Sequence, residues 1–264
     1  MEPSESPRRK PHRGIYLLPN LLTTGGMFAG FYAIVVALAG RPQEAAMSVF
    51  IAGLLDGLDG RVARMTNTQS EFGVQYDSLA DMVSFGIAPA LVMYAWSLSS
   101  LHELGSLWGK VGFAAAFIYA ACAALRLARF NTQVGVIDKR YFQGLASPAA
   151  AGLAMSFVWT MSANGLAGDH ELVRRLAPAV AIVAGLLMVS RIRYFSFKSW
   201  PDKVPFYVIP LVVLVFVALY LDTALVLFVI FALYVISGPL FTLWGLRRRR
   251  SQREQPPRPE NPGT

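Results

Sequence analysis

Four aspartates crowd into residues 56–81, which read DGLDGRVARMTNTQSEFGVQYDSLAD. Asp56 and Asp59 are three residues apart, and Asp77 and Asp81 are four apart. On a helix either spacing puts both side chains on one face. Each pair adjoins a long apolar segment, where charge is costly. At mid-membrane an Asp costs roughly 2.5–3.5 kcal/mol on insertion scales, and four of them forfeit on the order of 10 kcal/mol. That is comparable to the stability of a whole domain. Divalent cations, which accept hard carboxylate oxygens, are the simplest compensation.

The elements that must position these groups are apolar. The chain has 264 residues, 55% of them hydrophobic, and a mean hydropathy of +0.45. Runs long enough to span a bilayer occupy residues 17–39, 44–65, 72–98, 108–130, 147–163, 172–189, 204–220 and 223–246. The expected fold is all-α, a polytopic membrane bundle of about eight transmembrane helices. The first run follows Arg8, Arg9, Lys10 and Arg13 and ends in Ala37-Leu38-Ala39, which mimics a signal peptide. It exceeds the usual apolar region of roughly 7–15 residues and is read as an uncleaved span. Residues 1–14 form a basic head and residues 247–264 a basic, Pro-rich tail, both expected to be disordered.

Charge orients the bundle. Eight spans place both termini on one side, and 20 of the 24 Lys and Arg residues then fall on that side. By the positive-inside rule the termini and the aspartate stretch face the cytoplasm, in the inner membrane. The net charge of +8 is explained by topology and anionic lipid, not nucleic acid. The single cysteine, Cys122, excludes an intramolecular disulfide and reads as a buried thiol. Gly26, Gly30 and Gly53 read as close-packing positions. Gly60, beside Asp59 and one turn after Asp56, instead leaves room for a ligand's phosphate or sugar.

A short link between spans two and three makes them antiparallel, so the two aspartate pairs meet at similar depth. Left alone, four carboxylates repel and protonate. Two Mg²⁺ or Mn²⁺ ions about 3.5–4 Å apart settle that charge and leave open positions for substrate oxygens. Such ions bind through carboxylates plus phosphates, so the implied substrate is a diphosphate. Arg64 is placed to neutralise a phosphate, and Arg61 is a weaker candidate. Spacing alone leaves two other readings open: interhelical salt bridges, and an ion or metabolite transport path. No internal inverted repeat of the transporter kind is visible in the sequence.

The pattern Asp56-x-x-Asp59-Gly60-x-x-Ala63-Arg64, eight residues, then Gly73-x-x-x-Asp77-x-x-x-Asp81 resembles the signature of the CDP-alcohol phosphatidyltransferase family. Every fixed position is matched, and the resemblance covers roughly residues 15–200. Four further stretches resemble the family's bacterial membrane-type phosphatidylserine synthases. They are residues 18–23 (LPNLLT), 77–86 (DSLADMVSFG), 125–131 (LRLARFN) and 190–194 (SRIRY). Ala146, before Ser147-Pro148, departs from the proline expected there and lies outside the signature.

The resemblance implies a membrane domain over 15–200, a six-helix catalytic core, with an additional hairpin over 201–246. It implies transfer of the phosphatidyl group of CDP-diacylglycerol to the hydroxyl of L-serine, with release of CMP. Glycerol phosphate, inositol phosphate or choline are the alternative acceptors. By the same resemblance Asp56, Asp59, Asp77 and Asp81 hold two divalent cations, and Asp81 is the general base. Asn20, Thr23, Gly60, Ala63, Arg64 and Gly73 form the CDP pocket. Arg126 and Arg129 are candidate contacts for the acceptor or a phosphate, with interfacial anchoring as the simpler use. The family's members are often homodimers. Spans seven and eight read as packing or oligomer surface, with a kink at Gly238-Pro239.

Overall fold

Apolar runs separated by Gly, Pro and short polar links fold as helices through most of the described residues. A computed structural model describes residues 17–66, 70–132, 141–195 and 208–253. The basic head, Lys139, Arg140, Lys198, Lys203 and the end of the tail fall outside those residues, as does residues 204–207 of the seventh expected span. Helix α1 is Leu17–Leu38, α2 Pro42–Met65, α3 Glu71–Asp81 and α4 Ala88–Trp96. Then come α5 Ser106–Thr132, α6 Ser147–Ala163, α7 Glu171–Val189, α8 Val208–Leu221 and α9 Thr223–Arg253. Since α3 and α4 form one rod, the described residues make eight helical rods, a polytopic membrane bundle. Five stretches have the length and composition to cross a membrane: Leu18–Leu38, Glu71–Leu104, Ser106–Thr132, Glu171–Val189 and Thr223–Thr242.

Local chemistry explains the boundaries. Pro42 opens α2, where a missing N–H costs nothing. Ser70 caps α3, its Oγ accepting from Gly73 N at 3.0 Å. Asp222 caps α9, accepting from Leu225 N at 2.9 Å. Helix α6 is buried along most of its length, and it is built largely of Ala, Gly and Ser, which let neighbouring helices approach. It packs against α2 on one side and α9 on the other, while α5 packs against α7.

Three features depart from the sequence expectation. The third span is not one α-helix: residues Met82–Ile87 form a π-turn between α3 and α4, and Leu98–Leu104 continue as a 3₁₀ helix. Pro89 accounts for part of this. It has no N–H to offer the carbonyl of Phe85 four residues earlier. The buried Tyr119 hydroxyl donates to that carbonyl instead, at 3.2 Å. Second, α9 runs to Arg253, through residues 247–253 that were expected to be unstructured. Arginines are good helix formers, and cations suit a helix C-terminus. Third, a short antiparallel ribbon pairs β1 Tyr141–Gln143 with β2 Arg193–Phe195, with Phe142 opposite Tyr194.

The ribbon is tied to the bundle by the same device seen at Pro89. Pro239 removes the N–H that the Val235 carbonyl would accept within α9. The hydroxyl of the buried Tyr194 donates to that carbonyl at 3.2 Å. Gly238 makes this possible, since a Cβ there would sit 2.4 Å from Tyr194 Cε1.

Candidate active site

The aspartates are delivered by the last half of α2 and the whole of α3. Helix α1 lies against both, whereas α2 and α3 themselves barely touch. Spans two and three meet through the π-turn and α4; at α3 itself α1 is the shared support, and the gap between α2 and α3 holds the carboxylates. One contact sets this gap. A Cβ on Gly30 would lie 2.8 Å from Ser84 Cα, so only glycine lets α1 reach the π-turn that follows Asp81. Ser84, buried there, donates to the Gly26 carbonyl at 3.1 Å.

Carboxylate oxygens of Asp56, Asp59 and Asp77 lie within 4.8 Å of one another. Asp81 lines the same cavity of about 10 Å³ with the other three. Opposite ligands of an octahedral Mg²⁺ are about 4 Å apart, so three of these oxygens reach one cation with small adjustment. The volume suits an ion and excludes a nucleotide. The donor set is all carboxylate oxygen, which fits Mg²⁺ or Mn²⁺ rather than a softer metal.

The surroundings hold these groups in place. Asp59 is buried, and the buried Thr23 hydroxyl donates to its Oδ2 at 2.6 Å. Asn20 stands beside the first turn of α3, its Oδ1 3.6 Å from where a Gly73 Cβ would lie. Ser70 Oγ is 3.1 Å from that point, so packing already accounts for glycine at 73. Gly60 is different: nothing lies within 4 Å of a Cβ built there, nor at Gly57. That open face is next to the carboxylates. Arg64 is exposed beside it, its Nε donating to the Gly60 carbonyl at 2.8 Å. Ala63 is half-buried and Arg61 exposed.

The two arginines of α5 part company. Arg126 is half-buried, interacts electrostatically with Asp81, and donates from Nη1 to Ser147 Oγ at 2.8 Å. Arg129 donates from Nη1 to the Val189 carbonyl at 3.1 Å, tying α5 to the end of α7. Sequence reasoning missed Ser84, Tyr119 and Ser147. The first sits in the quoted resemblance without a role. For Tyr119 the signal was Pro89, and for Ser147 there was none beyond its place at a helix start.

Residues 16–190 match the CDP-alcohol phosphatidyltransferase family. The chain is 37% identical over 230 residues to the CDP-diacylglycerol–serine O-phosphatidyltransferase of Helicobacter pylori, which covers 86% of this chain and 92% of that one. The protein of that name from Methanocaldococcus jannaschii is 34% identical over 188 residues, 71% of this chain and 80% of its own. Its Saccharomyces cerevisiae counterpart is 35% identical over 157 residues, 54% and 53% of the two chains. With the motif residues gathered at one end of the bundle and the match running from α1 to the end of α7, the chain belongs to the CDP-alcohol phosphatidyltransferase family.

Proposed function

We propose that this protein transfers the phosphatidyl group of CDP-diacylglycerol to L-serine, giving phosphatidylserine and CMP. The observation that carries the reading is the meeting of Asp56, Asp59 and Asp77 within 4.8 Å, with Asp81 lining the same cavity. The names of the relatives support serine as the acceptor.

Asp56, Asp59, Asp77 and Asp81 would hold two divalent cations, Mg²⁺ or Mn²⁺. When bound, these neutralise charge on the diphosphate and on departing CMP. Asp81 takes the proton from the serine hydroxyl as its oxygen attacks the phosphorus bearing diacylglycerol. The bond from that phosphorus to the CMP oxygen breaks, and CMP leaves with the electron pair. The open face at Gly57 and Gly60 admits the CDP group, with Arg64 at its edge. Asn20, Thr23, Ala63 and Gly73 form the wall behind it, through α1, the last turns of α2 and the first turn of α3. Arg126 faces the acceptor. Arg129, bound to the Val189 carbonyl, holds α5 and α7 together and shapes that side indirectly.

The catalytic domain spans 15–200, and the hairpin of α8 and α9 is added to it. The site opens to the cytoplasm from the inner membrane. A homodimer is included in the reading, for which the apolar outer faces of α8 and α9 offer surface. The test is release of CMP from CDP-diacylglycerol by the purified protein. Release that requires both serine and added Mg²⁺ or Mn²⁺ is the expected result. Release with glycerol phosphate, inositol phosphate or choline but not serine would reassign the acceptor. No release with any alcohol would remove the reading.

A further inference from the structure

Arg126 is a cation inside the bundle that has no salt-bridge partner among the described residues. The ion pairs there join Arg41 to Glu44, Arg174 to Glu103, and Arg175 to Glu171. A half-buried guanidinium whose neighbouring carboxylate, Asp81, is not within ion-pair distance keeps donors for the carboxylate of a ligand. Its surroundings are specific. Nη1 is held by Ser147 Oγ at 2.8 Å, and Asp81 interacts with the same guanidinium.

A second polar group comes from outside the family segment, which ends at residue 190. Tyr234, on α9, interacts electrostatically with Arg126. It lines a cavity of about 430 Å³ together with Ala146 and Pro148, the neighbours of Ser147, and with Phe85 of the π-turn. Phe85 also lines the carboxylate cavity, so the two spaces share a wall. Tyr234 is fixed in place. Its ring packs on Tyr194 at 5.5 Å between centroids, and Tyr194 is anchored to α9 through the Val235 carbonyl.

We infer that α9 completes the acceptor pocket, with Tyr234 and Arg126 jointly binding the carboxylate of an amino-acid acceptor. This rests on the phosphatidyltransferase reading above and specifies its acceptor side. One guanidinium and one phenol match a monoanionic carboxylate, whereas a phosphate monoester asks for more cationic charge. In serine the hydroxyl oxygen is three bonds from the carboxylate carbon. A carboxylate held at Arg126 therefore leaves the hydroxyl within a few bonds' reach of Asp81, which interacts with the same guanidinium. The hairpin beyond the family segment then acts as a specificity element.

The test is steady-state kinetics of the full chain in mixed micelles, with L-serine and with L-serinamide, which keeps the hydroxyl and lacks the carboxylate. Tyr234→Phe preserves the ring contact with Tyr194. It is expected to raise the serine KM about 10-fold, the equivalent of roughly 1.4 kcal/mol, and to leave the CDP-diacylglycerol KM unchanged. Serinamide, read as substrate or as competitive inhibitor, should lose nothing. Arg126→Gln should abolish the preference for serine over serinamide. An unchanged serine KM in Tyr234→Phe, or equal losses on serine and serinamide, would overturn the inference. A wild-type protein inactive with serine would overturn the underlying reading instead.

Discussion

Asp59 has the least solvent-exposed side chain of the four, and Thr23 supplies the hydrogen bond that makes this tolerable. Partners of metal ligands set orientation, and losing one typically costs 10–100-fold in affinity or activity, by rough convention. Thr23→Val should therefore weaken Mn²⁺ binding by about 10-fold or more, measured by titration, with Thr23→Ser close to wild type. Equal affinities in Thr23→Val and wild type would show that the contact is incidental. Asp81→Asn separates binding from chemistry. It should retain CDP-diacylglycerol and lose turnover by several orders of magnitude, about what loss of a general base and a ligand combined implies. Substantial retained turnover would refute Asp81 as the base. The four aspartates were legible in the sequence because charge beside apolar runs is costly and their spacing puts each pair on one helix face. Ser147 was not, because a serine at a helix start has an ordinary capping use. Its role depends on Arg126 approaching from a distant helix.

At the level of the element, the break after Asp81 matters most. A continuous α-helix was expected over residues 72–98, and the hydrophobic pattern supports nothing finer. The π-turn at Met82–Ile87 re-aims the chain beside the last carboxylate, a common place for such turns. Pro89 was visible, but the donor that replaces its missing N–H sits on another helix. Tyr119→Phe would leave the Phe85 carbonyl unpaired and should lower stability by about 1–3 kcal/mol. Thermal unfolding in detergent measures this, and an unchanged midpoint would mean the carbonyl finds another donor. The sequence also left open how α2 and α3 relate. Their short link fixes direction but not distance. It is the Gly30–Ser84 contact that seats α1 against the π-turn and preserves the gap.

Across the whole molecule, charge and shape agree. The motif aspartates, Asn20, Arg126, Ser147 and Val189 gather at one end of the bundle, with Arg61, Arg64 and Arg129 on the same turns of α2 and α5. Of the four cations assigned by sequence to the other end, Arg41, Arg174 and Arg175 are each paired with a glutamate. Helix order and number were readable from hydropathy, whereas the ribbon depends on tertiary contacts. Orientation can be checked by cysteine labelling, with the native Cys122 buried and quiet. In intact cells Ala167→Cys, exposed at the far end, should label with an impermeant reagent. Arg61→Cys, exposed at the site end, should label only after permeabilisation. The reverse pattern would invert the topology. The most direct test of the site itself is electron paramagnetic resonance of Mn²⁺ added to chelator-stripped protein. Two spin-coupled Mn²⁺ ions per chain are expected, lost on Asp56→Asn or Asp77→Asn. Uncoupled surface-bound Mn²⁺, unaltered by either substitution, would contradict a carboxylate-held metal centre.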